Sequence, residues 1–419
     1  MKILFIVPYV PTRIRTRPLN LIRSLIEAGH EVTVATLWTA EAELQEFLEI
    51  VGDTCLVFAE RITRYRSLGN CVSGLASAAP LQARYSWNPA FARRLACLIA
   101  ERTFDVVHVE HLRGGRYALF IREMLARHGK GGVPVVWDSV DCISALFKQA
   151  AKGSRSLSSR LIARLELGRT QRYETRLVRQ LDRVVVTSGI DRRQLLDLAS
   201  TEANHKVSVV PNGVDLDYFK PIDCEREKAT LVISGKMSYH ANEAAAVHFV
   251  RVVLPRIWAR QPDVRVWITG KDPSRRVRDL SGDRVVITGT VPDIRPYLQH
   301  ATIAVSPILY GAGIQNKVLE ALACGTPVVA TSKSVAGLST RAGLHLRVAE
   351  TEVGLGNAIL SLLRSPEERR FLGESGRCFV EMNHNWRSSA AILEDVYREA
   401  MMEPGTVERE KVSSGEGLR

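Results

Sequence analysis

The sequence lacks any long run of apolar residues. The first such run, Ile3–Val7, is followed directly by Pro8 and is too short for the core of a signal peptide. A helix that crosses a bilayer needs about 20 apolar residues, and no window of the chain approaches that length. We therefore expect a cytoplasmic protein whose only contact with a membrane is peripheral, at the inner face.

Paired cysteines are also missing. The seven cysteines among 419 residues form no Cys-x-x-Cys pair and are widely spaced, which argues against a disulfide framework and favours a reducing compartment. No cluster of His, Cys and Asp has the spacing of metal ligands. The Asp-Leu-Asp sequence at 215–217 resembles a metal-binding motif, but it lies in a predicted linker turn. We expect no metal and no bound cofactor.

The formal net charge of +12 comes without a basic tail or a basic patch interleaved with aromatic residues. Nucleic acid is therefore the weakest candidate partner, and we expect none to bind. An arginine-rich solvated surface, a polyanionic ligand and an anionic membrane face remain open. Two basic segments are candidates for contact with an anionic membrane. They are residues 13–17 in the first loop and residues 152–172 in an amphipathic stretch.

Short β-rich runs alternate with helical patterns along nearly the whole chain. Residues 2–7 form a continuous apolar run, residues 18–30 repeat apolar residues at helical spacing, and residues 31–37 are again β-rich. This βαβ pattern is typical of a parallel sheet. Turn residues and prolines interrupt the alternation at 207–221, after which it resumes. The sequence therefore predicts two successive α/β domains.

The domain boundaries follow from these changes of pattern. A helical pattern fills the region after Ser365, and the last stretch is polar. We expect an N-terminal domain over 1–205, a linker over 206–222, a C-terminal domain over 223–378, helices over 379–402 and a disordered tail over 403–419.

The segment YGAGIQNKVLEALACGTPVVAT, residues 310–331, combines flexible backbone with charge. Gly311 and Gly313 precede a predicted helix whose first amide groups and positive dipole end attract anions. Lys317 adds a full charge, and Glu320 lies one turn further along the same face. A diphosphate fits the helix end and the lysine, and ribose hydroxyls fit the carboxylate. The alternative is an ordinary Glu–Lys pair on an exposed helix.

Three predicted strands of the second half end in glycine, at Gly235, Gly270 and Gly289. Ligands bind at the carboxyl edge of a doubly wound sheet, where glycine lets the backbone approach them closely. Lys236 follows the first glycine and is placed to meet an anion. The turn that begins at Val291 offers backbone groups to a flat heterocycle. For each glycine taken alone, its tendency to end a strand is enough to explain why it occurs there, without a ligand.

Two strand ends of the first half carry polar side chains. In HVEHLRGG, residues 108–115, His108 and Glu110 share one side of a strand and His111 lies beyond its tip. In WDSVDCIS, residues 137–144, Asp138 and Asp141 follow another strand. A lone histidine at a strand end is more often structural than functional.

The second half resembles the sugar-nucleotide-binding domain of family 4 retaining glycosyltransferases, which have the GT-B fold. The resemblance rests on PNGVDLDYF (211–219), SGKM (234–237), GTVPDIRPYLQHATIAVSP (289–307) and GAGIQNKVLEALACGTPVVAT (311–331). The wording GIQNKVLEALA is most similar to bacterial exopolysaccharide-associated sugar transferases. The resemblance implies two Rossmann-like domains with a cleft between them, and last helices that cross back onto the N-terminal domain.

The resemblance also implies roles for individual residues. The enzyme would move a sugar from a nucleoside diphosphate sugar, UDP- or GDP-linked, to a hydroxyl of a saccharide, glycolipid or small metabolite, with retention. Lys236 and Lys317 would stabilise the leaving diphosphate, and His111 would touch the transferred sugar. Donor-binding positions would be Gly235, Gly270, Val291, Gly311, Gly313, Ile314, Gln315, Asn316 and Glu320. Acceptor-binding positions would be Arg13, Arg15, Asp138 and Asp141.

Two positions depart from the family pattern. Ala312 stands where the first acid of the paired-glutamate motif belongs, and Asn242 stands near the place of a second cation. The missing acid at Ala312 keeps open a non-catalytic sugar-nucleotide-binding scaffold in envelope polysaccharide assembly. A GT-B epimerase or phosphorylase also remains open, because it shares the two-domain plan. Turnover of the donor without epimer formation would distinguish the transferase from both.

Overall fold

The computed structural model describes residues 1–74, 77–153, 157–199, 201–310 and 314–403. In the described part of the first half, the strands are β1 (Lys2–Val7), β2 (Glu31–Trp38), β3 (Leu56–Arg61), β4 (Val106–Glu110), β5 (Val135–Val140), β6 (Arg183–Val186) and β7 (Val207–Val209). They form one parallel sheet in the order β3-β2-β1-β4-β5-β6-β7.

Helices cover both faces of this first sheet. They are α1 (Thr16–Glu27), α2 (Glu41–Val51), α3 (Arg64–Gly74), α4 (Leu81–Tyr85), α5 (Pro89–Glu101), α6 (His111–Arg127), α7 (Ile143–Gly153), α8 (Leu157–Gln180) and α9 (Gly189–Ala199). Short 3₁₀ turns follow α2 at Gly52–Thr54 and α9 at Thr201–Lys206. Because β7 pairs with β6, the first sheet extends into the stretch that the sequence predicts as a linker.

The described part of the second half forms another parallel sheet, in the strand order β10-β9-β8-β11-β12-β13. Its strands are β8 (Thr230–Ser234), β9 (Arg265–Thr269), β10 (Val285–Gly289), β11 (Ile303–Ser306), β12 (Val328–Ala330) and β13 (Arg347–Val348). Its helices are α10 (His240–His248), α11 (Leu254–Trp258), α12 (Arg275–Arg278), α13 (Arg295–His300), α14 (Asn316–Ala323), α15 (Ser332–Val335), α16 (Glu352–Arg364) and α17 (Pro366–Asn383). A π-helical turn, Phe249–Val253, joins α10 to α11.

Both sheets are buried on their two faces, as parallel sheets require. In β1, Ile3 and Phe5 belong to one apolar cluster, and Leu4 and Ile6 belong to the cluster on the opposite face. The strand order of each sheet reverses next to its first strand, and ligands of such sheets bind beside the carboxyl ends of strands at that reversal. Two doubly wound parallel sheets confirm the predicted fold class.

The last helix, α18 (Trp386–Met402), packs on the N-terminal domain. Trp386, Leu393 and Tyr397 belong to the same apolar cluster as Ile3 and Phe5 of β1. The chain therefore passes between the domains twice, once before β8 and once between α17 and α18.

These two crossings contact each other. The Val214 amide donates to the His384 carbonyl oxygen at 2.7 Å, and the His384 Nδ1 lies 2.8 Å from the Asn212 carbonyl oxygen. A Cβ added to Gly213 would lie 2.7 Å from the Trp386 amide nitrogen, so glycine is required for this close approach. In the described ranges, no helix is both long and apolar enough to cross a membrane.

Candidate active site

The carboxyl edge of the second sheet contains two glycines whose backbone conformation disfavours any side chain. Gly235 and Gly270 follow β8 and β9 with φ angles of 137° and 142°. A Cβ on Gly270 would lie 1.8 Å from the Gly235 carbonyl oxygen. The Gly270 amide donates to the Gly289 carbonyl oxygen at 3.1 Å, so the three strand ends form one continuous edge.

Two lysines stand on this edge. Lys236 is exposed directly after Gly235, as the sequence predicts, and Lys271 is exposed directly after Gly270. The Met237 amide donates to the Lys271 carbonyl oxygen at 2.9 Å, which holds the two loops together. Sequence reasoning missed Lys271, although it follows a strand-ending glycine in the same way as Lys236.

Helix α14 begins at this edge without a side-chain cap. Its N-cap residue, Gln315, makes no side-chain capping hydrogen bond, and the Val318 amide donates to the Gln315 carbonyl oxygen at 2.8 Å. The Asn316 and Lys317 amides have no hydrogen-bond partner among the described residues and are therefore available to an anion. Lys317 and Glu320 lie half-buried on one face of the helix. Burial lowers the pKa of Lys317 to about 8 and raises that of Glu320 to about 7, and each charge opposes the shift of the other.

Among the described residues, nothing hydrogen-bonds or pairs with the Glu320 carboxylate. Lys317 instead reaches across the edge, and its Nζ donates to Asn242 Oδ1 at 2.5 Å. Asn242 Nδ2 donates in turn to the Lys236 carbonyl oxygen at 2.9 Å. Asn242, which replaces the expected second cation, therefore joins the two lysine-bearing segments. The sequence does not predict this contact, because 75 residues separate its partners.

The loop after β10 is held rigidly. Val291 lies half-buried in this loop. Asp293 accepts hydrogen bonds from Arg295, the shortest at 2.7 Å, and from the Tyr218 hydroxyl at 3.1 Å. These Arg295 bonds lower the pKa of Asp293, so the carboxylate stays ionised and paired. The backbone near Val291 is thereby positioned beside the lysine-bearing edge.

Asn316, at the start of α14, contacts the other domain. Its Nδ2 donates to Thr16 Oγ1 at 3.3 Å, and its Oδ1 accepts from Asn212 Nδ2 at 3.3 Å. The predicted donor helix therefore lies against the N-terminal domain and the linker. Ile314 and Gln315 are half-buried beside it, whereas Gly311 and Gly313, together with Ala312, lie outside the described residues.

In the N-terminal domain, His111 has a left-handed backbone with a φ of 65°, which is uncommon for a residue with a side chain. Its Nδ1 accepts from the Arg113 amide at 3.2 Å, and its carbonyl oxygen accepts from Trp137 Nε1 at 3.2 Å. Burial, together with the charge of Arg113, lowers the pKa of His111 to about 3. The imidazole is therefore neutral, with its proton on Nε2.

Two further residues lie beside His111 that sequence reasoning did not select. The Tyr9 hydroxyl donates to Glu110 Oε1 at 2.9 Å, and the Tyr9 ring meets the His111 ring edge-on at 6.1 Å. Burial raises the pKa of Glu110 to about 8. Glu110 could have been selected from the sequence because it is a charged residue at the end of a predicted strand. Its contact with Tyr9 of the first loop is visible only in the fold.

The predicted acceptor aspartates have different surroundings. Asp138 is fully buried, and its Oδ2 accepts from Arg17 Nε at 2.7 Å, so it does not face the cleft. This placement corrects the expectation that Asp138 binds the acceptor. Asp141 is half-buried at the cleft, where its charge adds to burial in raising the pKa of Tyr239 from the other domain.

The two predicted acceptor arginines are exposed in the first loop. Arg15 donates to Glu43 at 3.1 Å and to the Val10 carbonyl oxygen at 3.0 Å. Arg13 lies over the Tyr218 ring of the linker at 6.0 Å. Within the described ranges, no group of three or more His, Cys, Asp or Glu side chains has the arrangement of a metal site.

Comparison with known proteins places both domains. Residues 15–218 match the model of Glycosyltransferase Family 4, and residues 228–365 match that of Glycosyl transferases group 1. The chain is 25% identical over 348 residues to the phosphatidyl-myo-inositol mannosyltransferase of Mycolicibacterium smegmatis, a match that covers 79% of this chain and 76% of the relative.

Solved structures show the same architecture. Sucrose-phosphate synthase from Thermosynechococcus elongatus has a TM-score of 0.68 at 18% identity, covering 96% of this chain and 99% of that one. The Anabaena protein HepE in complex with UDP and glucose has a TM-score of 0.68 at 12% identity, covering 95% and 100%. The chain therefore belongs to the family 4 glycosyltransferases with the GT-B fold.

Proposed function

We propose that this glycosyltransferase moves a sugar from a UDP- or GDP-sugar to an acceptor hydroxyl, with retention of anomeric configuration. The observation that carries the proposal is the arrangement on α14. A half-buried carboxylate without a described partner, Glu320, lies one turn from a half-buried ammonium group, Lys317, at an uncapped helix start. Ribose hydroxyls complete the hydrogen bonding of the carboxylate, and the diphosphate completes that of the helix start.

The chemistry centres on the leaving group. When the bond between the anomeric carbon and the phosphate oxygen breaks, its electron pair stays on that oxygen, and the diphosphate gains negative charge. We expect Lys236, Lys317 and the Asn316 and Lys317 amides at the start of α14 to stabilise this charge. The loss of one such preorganised group costs about 3 kcal/mol of barrier, roughly a hundredfold in rate.

The acceptor side needs no strong protein base. In a retaining transfer the acceptor hydroxyl attacks from the face that the leaving group vacates, and a phosphate oxygen of the departing diphosphate takes the hydroxyl proton. His111 serves as a hydrogen-bond donor to the transferred sugar, because its Nδ1 already accepts a bond and its proton lies on Nε2. Tyr9, Glu110 and Asp141 provide further polar groups on the acceptor side.

Two similar proteins support the choice of donor and acceptor to test. HepE was solved with UDP and glucose, which supports UDP as the first nucleotide to test. The name of the mycobacterial mannosyltransferase specifies an inositol phospholipid. A lipid-linked acceptor would require this chain to reach a membrane surface.

Two helices offer such a surface. On α3, Tyr65, Leu68 and Val72 share one helix face and are 63–88% exposed. On α8, Leu161 and Leu165 are 60% and 64% exposed. We propose that these faces dock on an anionic bilayer.

Their position and charge support this docking. The Glu166 carboxylate of α8 accepts from the Leu81 amide of α4 at 2.7 Å. Burial, together with the charge of Glu166, raises the pKa of Cys71 on α3, so the three helices adjoin. Exposed Arg64 and Arg164 complement anionic lipid. Since α8 runs antiparallel to the strand it precedes, its first half lies toward the carboxyl edge of the sheet, beside the cleft.

Vesicle sedimentation tests the docking. A Leu161→Ser/Leu165→Ser variant should sediment less with vesicles that contain phosphatidylglycerol. The matched control, Val353→Ser/Phe371→Ser, replaces two exposed apolar residues of the C-terminal domain and should sediment like the wild type. Equal sedimentation of the two variants would contradict this docking surface.

The donor proposal is tested first by a thermal-shift screen of nucleotide sugars, because a specific ligand stabilises the fold by mass action. With the ligand that raises Tm, Glu320→Ala should weaken donor binding about tenfold to a hundredfold, since it removes hydrogen bonds to a charged group. Glu374→Ala, at an exposed position of α17, is the control and should match the wild type. Unchanged donor binding in Glu320→Ala would refute the assigned site.

Product analysis separates the remaining functions. Transfer with the donor's anomeric configuration, read from NMR coupling constants of the product, supports retention. An inverted product contradicts it. Formation of a sugar epimer, or phosphorolysis, would favour the epimerase or phosphorylase, and tight donor binding without turnover across an acceptor panel would favour the scaffold.

A further inference from the structure

A large cavity lies away from the candidate active site, on the outer face of the N-terminal domain. It has a volume of about 1840 Å³ and lies between α4, α6, the second half of α8 and the beginnings of β6 and β7. None of its lining residues belongs to the candidate active site. We call it the arginine cavity.

The described walls of this cavity carry seven Lys and Arg side chains against three carboxylates. Asp182 pairs with Arg122 at 3.2 Å, and Glu403 pairs with Arg183 at 2.9 Å. The third carboxylate, Glu123, pairs with a residue outside the cavity wall. Positive charge on the walls is therefore left uncompensated.

Of the five cations left over, Lys206 donates to the Arg179 and Leu181 carbonyl oxygens, and the other four are arginines. No carboxylate of the described residues pairs with Arg84, Arg116, Arg176 or Arg179. Arg176 and Arg179 lie three residues apart on α8, so their side chains share one exposed face. Opposite them, the Arg116 guanidinium lies 3.9 Å from the centre of the Trp87 ring, which fixes its position.

Burial makes this excess unfavourable in the absence of a ligand. Arg84 and Arg116 are half-buried, and burial together with the Arg84 charge lowers the pKa of Arg116. Arg183 is only 5% exposed, and its Nε has no hydrogen-bond partner among the described residues. A solvated surface would separate such like charges, whereas an anion site brings them together.

We propose that the arginine cavity binds a ligand with two or more linked phosphate groups. One phosphate group has three free oxygens and can satisfy two guanidinium groups at once, as Arg84 and Arg116 require. A second group then meets Arg176 and Arg179 on the facing helix. The same chemistry occurs in a soluble polyphosphate and in the diphosphate headgroup of a lipid, and both sources fit the site.

Calorimetric titration with tripolyphosphate tests the proposal. The titration uses a Lys236→Gln/Lys317→Gln background, which removes the two cations of the proposed donor site, so the result does not depend on the proposed function. Adding Arg176→Gln/Arg179→Gln should weaken tripolyphosphate binding about tenfold or more. The matched pair Arg251→Gln/Arg256→Gln, exposed on the C-terminal domain, should leave binding unchanged. Equal losses in both variants, or no binding in the background, would overturn the proposal.

Two more measurements identify the ligand class. If an acidic peptide displaces tripolyphosphate at lower concentration than inorganic diphosphate does, the phosphate assignment is wrong. Phosphatidylcholine vesicles with and without polyprenyl diphosphate then distinguish the sources. If Arg176→Gln/Arg179→Gln no longer binds the vesicles that contain polyprenyl diphosphate, the ligand is a lipid headgroup. If this variant still binds those vesicles but no longer binds tripolyphosphate, the ligand is soluble.

Discussion

At Gly270 the backbone itself excludes every side chain. The φ of 142° is one that residues with a Cβ rarely adopt, and a Cβ there would meet the Gly235 carbonyl oxygen at 1.8 Å. Backbone cannot yield as a flexible side chain does. The contact between the ends of β8 and β9 therefore depends on this one glycine, and so does the position of both exposed lysines.

We expect Gly270→Ala to lower the free energy of unfolding by about 2 kcal/mol or more, because it combines backbone strain with a steric clash. Chemical denaturation measures the change. Gly132→Ala is the control, since a Cβ at Gly132 meets nothing within 4 Å and its φ is not positive. Equal stability of the two variants would show that the edge can rearrange.

Asn242 determines where the Lys317 ammonium group lies. We expect Asn242→Ala to lower kcat/KM for the donor about tenfold to a hundredfold, because Lys317 loses a charged hydrogen bond. Steady-state kinetics with the donor found in the thermal-shift screen measures this loss. Asn357→Ala is the matched control, since its amide oxygen accepts from Arg260 at 3.3 Å on the surface. Wild-type kinetics in Asn242→Ala would exclude a positioning role.

At the scale of elements, α14 combines an acid and a base whose pKa values are shifted toward each other. Glu320 accepts hydroxyl hydrogen bonds best when ionised, which requires a pH above its pKa of about 7. Lys317 attracts phosphate only when protonated, which requires a pH below its pKa of about 8. Both conditions hold only in the interval between these values.

Donor affinity should therefore be highest between about pH 7 and pH 8 and should fall on both sides. Calorimetric titration of the donor across pH measures the profile. Glu320→Gln should abolish the acid limb, because glutamine does not titrate, and Lys317→Arg should move the alkaline limb to higher pH. A flat profile, or two limbs that persist in both variants, would disprove the assignment.

Helix α7 shows how a buried acid can be structural. Glu174 of α8 accepts from the Ile143 amide at 2.8 Å and from the Ser144 amide at 3.3 Å, so it satisfies the first amides of α7. Burial raises the pKa of Glu174 to about 7 in spite of these bonds. A shifted pKa by itself therefore does not mark a catalytic residue, and the uncapped start of α14 is the informative contrast.

At the scale of the whole molecule, a buried polar network connects the domains. Arg17 donates to Asp138 at 2.7 Å, to the Val210 carbonyl oxygen at 2.9 Å and to Asn212 Oδ1 at 2.9 Å. Asn212 then donates to Asn316 at the start of α14. The position of the proposed donor helix is thereby tied to the core of the N-terminal domain.

The same network reaches the last helix. His108 is fully buried, its Nε2 lies 3.8 Å from Asp138 Oδ2, and its Nδ1 lies 2.8 Å from the Tyr397 hydroxyl of α18. Burial lowers the pKa of His108 to about 4, so the ring is neutral at physiological pH. Helix α18 is thus held to the first sheet by a hydrogen bond as well as by apolar packing.

We expect Arg17→Ala to lower the free energy of unfolding by about 3–5 kcal/mol, because it leaves the Asp138 carboxylate buried without its cation. Adding Asp138→Asn should recover part of this loss, since the uncompensated charge is then removed. Arg23→Ala, on the exposed side of the same helix, should cost about 1 kcal/mol or less. Similar denaturation midpoints for Arg17→Ala and Arg23→Ala would contradict the network.

What the sequence determined by itself is local. The alternation of buried strands with helices, the glycines at strand ends and the α14 segment each occupy a short stretch of chain, and the described residues reproduce them at those positions. The period of apolar residues and the backbone freedom of glycine act within such a stretch, which is why they can be read without the fold.

Only the tertiary structure decided which polar groups meet. The sequence predicts that Asp138 is an accessible acid at a strand end. In the structure it is buried and paired with Arg17, which is 121 residues away. From the sequence, Asn242 marks only the absence of an expected cation. In the structure it accepts a hydrogen bond from Lys317. The physical reason is that burial and hydrogen bonding depend on every segment that surrounds a group, and most of those segments are distant in the sequence.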